Sequence, residues 1–262
     1  MAKRIRKKAG IDRNPGAQTR PIKKVTVSPK PVEWTKDSKK RIIEVMIPVV
    51  LIPVIIFISA GRIDLWRIWL YFGITFIVNA LTFTILPLFF PEVLEIAAQR
   101  AKKRTGTKSW DKVFSVFSII TTLFIPIVAG LDIGRYEWSN IHSAFILPGV
   151  ILLLAGYVLI EWALLVNRHF EKTVRIQKDR GHKVVTKGPY QYVRHPGYVA
   201  MIIMNLAFPL ITGSALSFIP VLMIIGLFII RTQLEDRTLQ EELTGYKPYT
   251  KKVRYRLLPG VW

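Results

Sequence analysis

The sequence contains no cysteine among its 262 residues. This absence excludes disulfide bonds, thiolate metal sites, iron–sulfur clusters and cysteine nucleophiles. None of the 16 glycines stand two positions apart, so no Gly-x-Gly motif exists. The glycine-rich turn of soluble nucleotide-binding folds is therefore missing. A nucleotide-like cofactor would have to be held by a different architecture.

Histidine is also scarce, which argues against a metal site. No two of the four histidines have the spacing that places side chains on one helix face, and no thiolate partner exists, so no metal ligands are predicted. The histidines are His142, His169, His182 and His195.

Long apolar runs are abundant, and 51% of the residues are hydrophobic. Four segments are roughly 28 to 34 Å long as helices, close to the thickness of the hydrocarbon core of a bilayer. These segments predict transmembrane helices at Ile42–Ala60, Ile68–Phe90, Val113–Leu131 and Phe145–Val166.

The uncharged stretch from Val199 to Ile230 is interrupted by proline and by Thr212–Ser214. Two helices that turn there would each be short, so a short helical hairpin is predicted. Arg231–Leu243 then predicts a charged helix that leaves the membrane and ends before Gly245. The expected fold class is an all-α polytopic integral membrane protein: four long transmembrane helices, a short helical hairpin and a cytoplasmic carboxyl-terminal helix.

Basic residues predict the orientation in the membrane. Lys and Arg number 38 against 17 Asp and Glu, and 35 of the 38 lie in residues 1–41, 91–112, 167–197 and 231–262. Basic connections remain on the cytoplasmic side, so these segments and both termini are expected in the cytoplasm.

The amino-terminal residues 1–41 carry 14 Lys and Arg and few apolar side chains, which predicts a disordered basic tail. Trp34 is its only aromatic residue and no nucleic-acid-binding module is recognised, so no nucleic-acid partner is expected. The tail could be only a topology signal and solvated arm, or it could adhere to anionic membrane lipid. Residues 42–144 then form front transmembrane helices with an interfacial loop, in which Pro91–Arg100 predicts a short helix lying on the membrane.

A polar, aromatic stretch from Gln177 to Tyr198 lies between apolar segments and ends in His195-Pro196-Gly197-Tyr198. Proline restricts the backbone, so His195 and Tyr198 are presented by a stiff corner that suits a binding site. The tyrosines near it could line an adenine pocket or form an aromatic belt at the lipid boundary. They are Tyr190, Tyr192, Tyr198, Tyr246 and Tyr249.

Arg231 and Glu235 are four residues apart, so they share a helix face. Arg231 could bind an anionic acceptor while Glu235 binds a second ligand, or the two could form an ordinary interfacial ion pair. Glu161, Asn79 and Asn205 are expected to face the bundle interior, since polar groups are costly in lipid. We expect a boundary position for Asp132.

An ordered set of motifs resembles the isoprenylcysteine carboxyl methyltransferase family of membrane enzymes. The set comprises Gln177, His182-Lys183-Val184-Val185, Gly188-Pro189-Tyr190, Arg194-His195-Pro196-Gly197-Tyr198, a hairpin, Arg231-x-x-x-Glu235, Tyr246 and Tyr249. The resemblance covers roughly residues 165–260 and implies a methyltransferase core within 145–262. It also implies that S-adenosylmethionine binds on the cytoplasmic face while a lipophilic acceptor, such as a prenylated protein or a free prenylcysteine acid, enters from the bilayer.

The resemblance further implies roles for particular residues. Arg231 would bind the acceptor carboxylate, and Arg231 and Glu235 would be the catalytic pair. Cofactor-binding positions would be Gln177, His182, Lys183, Val184, Val185, Tyr190, His195, Pro196, Gly197, Tyr198 and Glu235.

Departures from the family leave other functions open. Asp236 follows Glu235 where the family commonly has further glutamates, and two additional segments and the tail precede the matching part. The acceptor could therefore also be a phospholipid amine. A sterol-type membrane reductase would use NADPH instead, and a non-enzymatic lipid-binding protein would act through residues 1–40. The sequence specifies no oligomeric state.

Overall fold

The computed structural model describes residues 35–89, 98, 106–171, 173–178 and 181–262. The predicted tail up to residue 34 and all but one residue of the predicted interfacial helix at 91–100 lie outside this part of the chain. The chain is described below through its eight α-helices in these ranges.

The connections between successive helices are short except before the fourth helix and between the fifth and the sixth. A π-helical segment, Leu131–Arg135, extends the fourth helix, and a 3₁₀ turn, Ser143–Phe145, precedes the fifth. The helices are α1 Lys36–Ala60, α2 Trp66–Thr84, α3 Leu86–Phe89, α4 Ser109–Gly130, α5 Ile146–Val166, α6 Pro196–Thr212, α7 Phe218–Glu242 and α8 Tyr246–Lys252.

Five helical segments of the described chain are long and apolar enough to cross a membrane, and α6 is a shorter apolar helix. The predicted all-α, multi-pass membrane fold is therefore confirmed. The hairpin also occurs where it was predicted, between α6 and α7. Its second arm is longer than expected, because α7 continues without a break from the apolar residues through Arg231 to Glu242.

The first helix begins earlier than its apolar run. Thr35 caps it, since its hydroxyl accepts a hydrogen bond from the Ser38 N–H at 3.1 Å, and Asp37 in the first turn favours the positive end of the helix dipole. Helix α1 thus begins at Lys36 rather than near Ile42, and the last residues of the predicted tail are helical.

Helix α5 packs closely along α6, which begins at the predicted corner. Gly156 makes this approach possible, because a Cβ there would lie 2.4 Å from Met204 Cγ. Small residues serve the same purpose at many membrane helix interfaces. Helix α4 packs between α1 and α7, so the front helices directly contact the helix that carries Arg231 and Glu235.

The hairpin turn is held by charged residues of the front helices. Gly213 ends α6 with φ 93°, a conformation that glycine adopts readily, and Arg67 donates to the Leu210 and Ile211 carbonyls at 2.8 Å each. These bonds satisfy carbonyls that the end of a helix leaves without intrahelical partners.

Asp132 lies at a helix end, as expected, but it is more than a boundary residue. Its carboxylate is fully buried, and Oδ2 accepts bonds from the Ser139 and Ser214 hydroxyls at 2.6 Å each and from the Leu216 N–H at 3.1 Å. Asp132 therefore anchors the hairpin turn, because a buried carboxylate is stable only when it is hydrogen-bonded.

Of the two intramembrane amides expected to face the interior, Asn79 is buried and Asn205 is only partly buried. Asn79 donates to the Tyr157 hydroxyl at 2.9 Å and so joins α2 to α5. Asn205 donates to the Met201 carbonyl of its own helix at 2.8 Å.

Candidate active site

A cavity of about 460 Å³ opens where α5, α6 and α7 meet the polar stretch that precedes α6. Every site residue predicted from the sequence lines it. Those residues are Gln177, His182, Lys183, Val184, Val185, Tyr190, His195, Pro196, Gly197, Tyr198, Arg231 and Glu235. Two sequence-distant patches therefore share one cavity, as the predicted hairpin required, although the cavity alone assigns no role to any residue.

The stiff corner is fixed to the carboxyl-terminal segment. Pro196 occupies the first turn of α6, and the N–H groups of Arg194 and His195 donate to the carbonyls of Tyr255 and Arg256 at 3.0 Å each. Proline is well suited to the first turn of a helix, because it has no N–H that needs a partner. The corner is thus rigid at both ends.

Asp236 stands at the centre of a buried ionic network behind the corner. Its fully buried carboxylate receives two bonds from the Arg194 guanidinium, at 2.7 and 2.9 Å, and one from Arg256 Nε at 3.0 Å. Gln240 and the Tyr246 hydroxyl also donate to it, at 2.8 and 3.0 Å. Two-pronged arginine–carboxylate pairs are among the strongest polar contacts, so this network joins the residue before the corner to α7, α8 and the carboxyl-terminal segment.

The network orients His195 and Tyr246. His195 Nε2 lies 3.3 Å from Asp236 Oδ1 and 3.4 Å from the Tyr246 hydroxyl. Burial and the adjacent Asp236 carboxylate both raise the pKa of Tyr246, so its hydroxyl stays protonated and donates to Asp236.

Glu235 and Asp236 are adjacent on α7 but point in different directions. The Tyr198 hydroxyl donates to Glu235 Oε2 at 2.6 Å, within the cavity wall. Residues one apart on a helix do not face each other, which explains how one carboxylate lines the cavity and the next supports it from behind.

Arg231 has an ion-pair partner from the front of the chain. Arg231 Nη2 lies 2.8 Å from Oδ1 of Asp111, a fully buried residue in the first turn of α4. The Arg231 guanidinium also lies over the rings of Phe114 and Tyr198, at 5.2 and 5.8 Å from their centres.

Hydrogen bonds to neighbouring segments hold the polar stretch in place. Gln177 donates to the His169 carbonyl, and the Tyr249 hydroxyl donates to the Tyr190 carbonyl at 2.6 Å. Four of the five tyrosines considered for an adenine pocket line the cavity, whereas Tyr192 is exposed.

Several cavity residues were missed by sequence reasoning. Glu171 and Arg175 form a buried pair with Nε and Oε2 2.8 Å apart, and Arg41 reaches the cavity from α1. The spacing of Glu171 and Arg175, four apart just before the polar stretch, was the available signal. No sequence pattern indicated that Arg41 reaches the cavity or that Asp111 pairs with Arg231, because both are contacts between distant segments.

The Gly197 position tests how tightly the corner packs. A Cβ there would lie 2.4 Å from Phe170 Cε2, so Gly197→Ala must displace the ring and is expected to destabilise the protein by about 1–3 kcal/mol. Thermal unfolding of the purified protein in detergent measures this change.

Gly226→Ala is the matched control, because no atom lies within 4 Å of a Cβ at that position of α7. Alanine has the higher helix propensity, so this variant is expected to unfold at the wild-type temperature or slightly above it. An equal loss of stability in both variants would contradict the close contact at Gly197.

The cavity's groups suit a ligand with a cationic centre, an aromatic ring and polar ends. Its volume lies within the range of about 300–1,000 Å³ that is usual for small-molecule sites. Glu235 provides a carboxylate, Tyr190 and Tyr246 provide aromatic faces, and Glu171 and Arg175 provide charges of both signs. These groups fit S-adenosylmethionine, which carries a sulfonium, an adenine ring and an amino-acid end.

Known proteins resemble the part of the chain that forms this cavity. The model of the isoprenylcysteine carboxyl methyltransferase (ICMT) family matches residues 149–241, which include every predicted site residue. The resemblance predicted from the sequence is thereby confirmed over that part of the chain.

The curated relatives match this chain over a little more than half of their own length. "Protein-S-isoprenylcysteine O-methyltransferase B" of Arabidopsis thaliana is 26% identical over 108 residues, which are 40% of this chain and 55% of the relative. "Probable protein-S-isoprenylcysteine O-methyltransferase" of Oryza sativa subsp. japonica is 25% identical over 108 residues, 40% of this chain and 56% of the relative. The chain thus spans a little over half the length of the curated relatives it matches.

Proposed function

We propose that this protein is an integral membrane methyltransferase that transfers a methyl group from S-adenosylmethionine to a lipophilic carboxylate such as a prenylcysteine. The observation that carries the proposal is the single cavity lined by two separate patches: the polar stretch with its corner, and the Arg231 and Glu235 face of α7. The family match over 149–241 supports the same reaction class.

In this proposal the cofactor lies against the polar stretch and the corner. Gln177, the segment His182–Val185, Tyr190 and the segment His195–Tyr198 would hold it by side chains and backbone, and Glu235 would face its cationic groups. When bound, S-adenosylmethionine supplies an electrophilic methyl group: its C–S bond breaks with the electron pair left on sulfur, while a C–O bond forms to the acceptor carboxylate.

Arg231 would bind and orient the acceptor. A carboxylate is already ionised near neutral pH, so no general base is required, and positioning of the two reactants supplies most of the catalysis. The apolar part of the cavity wall would exclude water, which keeps the attacking oxygen poorly hydrated. This wall includes Ile160, Leu164, Met201, Met204 and Leu239.

We place the cavity on the cytoplasmic side of the membrane. The basic connections at 91–112, 167–197 and 231–262 support this orientation, because positively charged loops remain in the cytoplasm. A prenylated protein or a free prenylcysteine acid would then reach Arg231 from the inner leaflet.

Binding of S-adenosylhomocysteine to the purified protein tests the cofactor part of the proposal. Glu235→Gln keeps an acceptor for the Tyr198 hydroxyl but removes the charge, so we expect affinity to fall about tenfold, equivalent to about 1.4 kcal/mol. Isothermal titration in detergent measures both proteins.

Glu241→Gln is the matched control, since Glu241 is an exposed acid on the same helix and pairs with Arg237 rather than with the cavity. We expect it to bind like the wild type. NADPH is titrated in parallel: tight binding of NADPH with none of S-adenosylhomocysteine would replace the proposal with a membrane reductase.

A further inference from the structure

Asp111 lies outside residues 149–241, yet it contacts the arginine at the centre of the proposed site. Its carboxylate is fully buried in the first turn of α4. Oδ1 is 2.8 Å from Arg231 Nη2, and Oδ2 accepts the Val174 N–H at 2.8 Å. Asp111 is absent from the cavity lining, so it can act on a ligand only through Arg231 or through the wall residue Val174.

An aromatic ring of the same helix also lies close to the guanidinium. Phe114, one turn after Asp111, is buried with its ring centre 5.2 Å from the Arg231 guanidinium carbon, and Tyr198 is 5.8 Å away. Aromatic faces attract a guanidinium, so the rings and the carboxylate together restrict its orientation. Helix α4 therefore supplies two of the contacts that set the direction of Arg231.

The charge of Asp111 limits how tightly Arg231 can hold a second carboxylate. Asp111 Oδ1 lies 2.8 Å from Arg231 Nη2 and already neutralises part of the guanidinium charge. An acceptor that was bound more tightly in the ground state than in the transition state would react more slowly. The weaker hold that Asp111 imposes therefore keeps the acceptor carboxylate reactive.

We propose that Asp111 is a positioning residue that directs the Arg231 guanidinium and weakens its hold on the acceptor carboxylate, so that a carboxylate oxygen stays reactive towards the methyl group. The inference rests on the proposed function. The transfer balances as before: the S–CH₃ electron pair stays on sulfur, the attacking oxygen forms the new bond to carbon, and no proton moves.

Asp111→Asn tests the inference, because asparagine keeps an acceptor for the Val174 N–H and replaces the charged oxygen beside Arg231 by an uncharged amide nitrogen. We expect kcat with N-acetyl-S-farnesylcysteine to fall about tenfold while KM also falls severalfold. Direct binding of the same acid in the presence of S-adenosylhomocysteine should tighten in parallel. Asp111→Glu, which restores the anion, should return these values towards those of the wild type.

Asp37→Asn is the matched control, since Asp37 occupies the first turn of α1 and is not part of the cavity lining. It should leave kcat and KM unchanged. Unchanged kinetics in Asp111→Asn, or a KM that rises as kcat falls, would overturn the inference. So would a loss of S-adenosylhomocysteine affinity together with a lower unfolding temperature, which would indicate a merely structural role.

A wild-type measurement keeps the inference testable if the variants do not fold. Because Asp111 already neutralises part of the Arg231 charge, the wild type should bind the acid within about tenfold of its neutral primary amide. A preference for the acid of more than about a hundredfold would overturn the inference. Absence of methyl transfer by the wild type would instead refute the proposed function, so the two failures are distinguishable.

Discussion

Replacing Arg231 by lysine is expected to lower kcat/KM for N-acetyl-S-farnesylcysteine by about a hundredfold, while affinity for S-adenosylhomocysteine stays within about threefold. Lysine keeps the positive charge beside the buried Asp111 carboxylate, so the fold is preserved. It lacks the planar guanidinium that Phe114 and Tyr198 orient. The loss therefore measures positioning of the acceptor rather than charge, and steady-state kinetics with a labelled methyl donor quantify it.

Arg237→Lys is the control for this substitution. Arg237 lies on the same helix, pairs with Glu241, and its side chain is 78% exposed. Its replacement should change neither kinetics nor binding. Wild-type kinetics in Arg231→Lys would remove Arg231 from the acceptor site and leave the reaction without a residue that orients the carboxylate.

Replacing Asp236 by asparagine is expected to destabilise the protein by about 3–5 kcal/mol. In the described part of the chain, Asp236 is the only carboxylate that pairs with Arg194, and Arg194 is only 6% exposed. The substitution removes that negative charge. An uncompensated buried charge is far more costly than the original pair was stabilising. The unfolding temperature in detergent should fall by about 10 °C.

The exposed pair on the same helix again provides the comparison. Glu241→Gln removes a carboxylate that also lies 2.8 Å from an arginine, but both side chains are more than half exposed. Exposed pairs contribute about 0–1 kcal/mol, so its unfolding temperature should stay close to that of the wild type. Equal stability of the Asp236 and Glu241 variants would show that the buried network does not hold the corner in place.

Much of the fold was predictable because its determinants are local. Apolar length identified the membrane helices, and Thr212–Ser214 identified the hairpin turn that Gly213 forms. The sequence did not predict where two helices extend into polar and charged residues, because apolar length does not detect such extensions. Helix α1 extends back to Lys36 through a threonine cap, and α7 runs on through charged residues to Glu242.

The sequence also predicted which residues form the candidate site, but not which residues contact each other. Every predicted site residue lines the cavity, since the polar stretch and the Arg231–Glu235 face each carry their signal within a few residues. Asp132 was expected to be only a boundary residue, and it also anchors the hairpin turn. A short polar side chain near a helix end has the same sequence pattern whether its partners are water or distant serines.

The sequence by itself determined that this is a multi-pass helical membrane protein with a polar, aromatic site beside a stiff histidine–proline corner. Hydropathy, proline positions and the spacing of Arg231 and Glu235 are properties of neighbouring residues. Only the tertiary structure decided which carboxylate pairs with which arginine: Asp236 with Arg194, and Asp111 with Arg231. These pairs join residues 42 and 120 positions apart along the chain, and the energy of a buried charge depends on partners that only folding brings within hydrogen-bond distance.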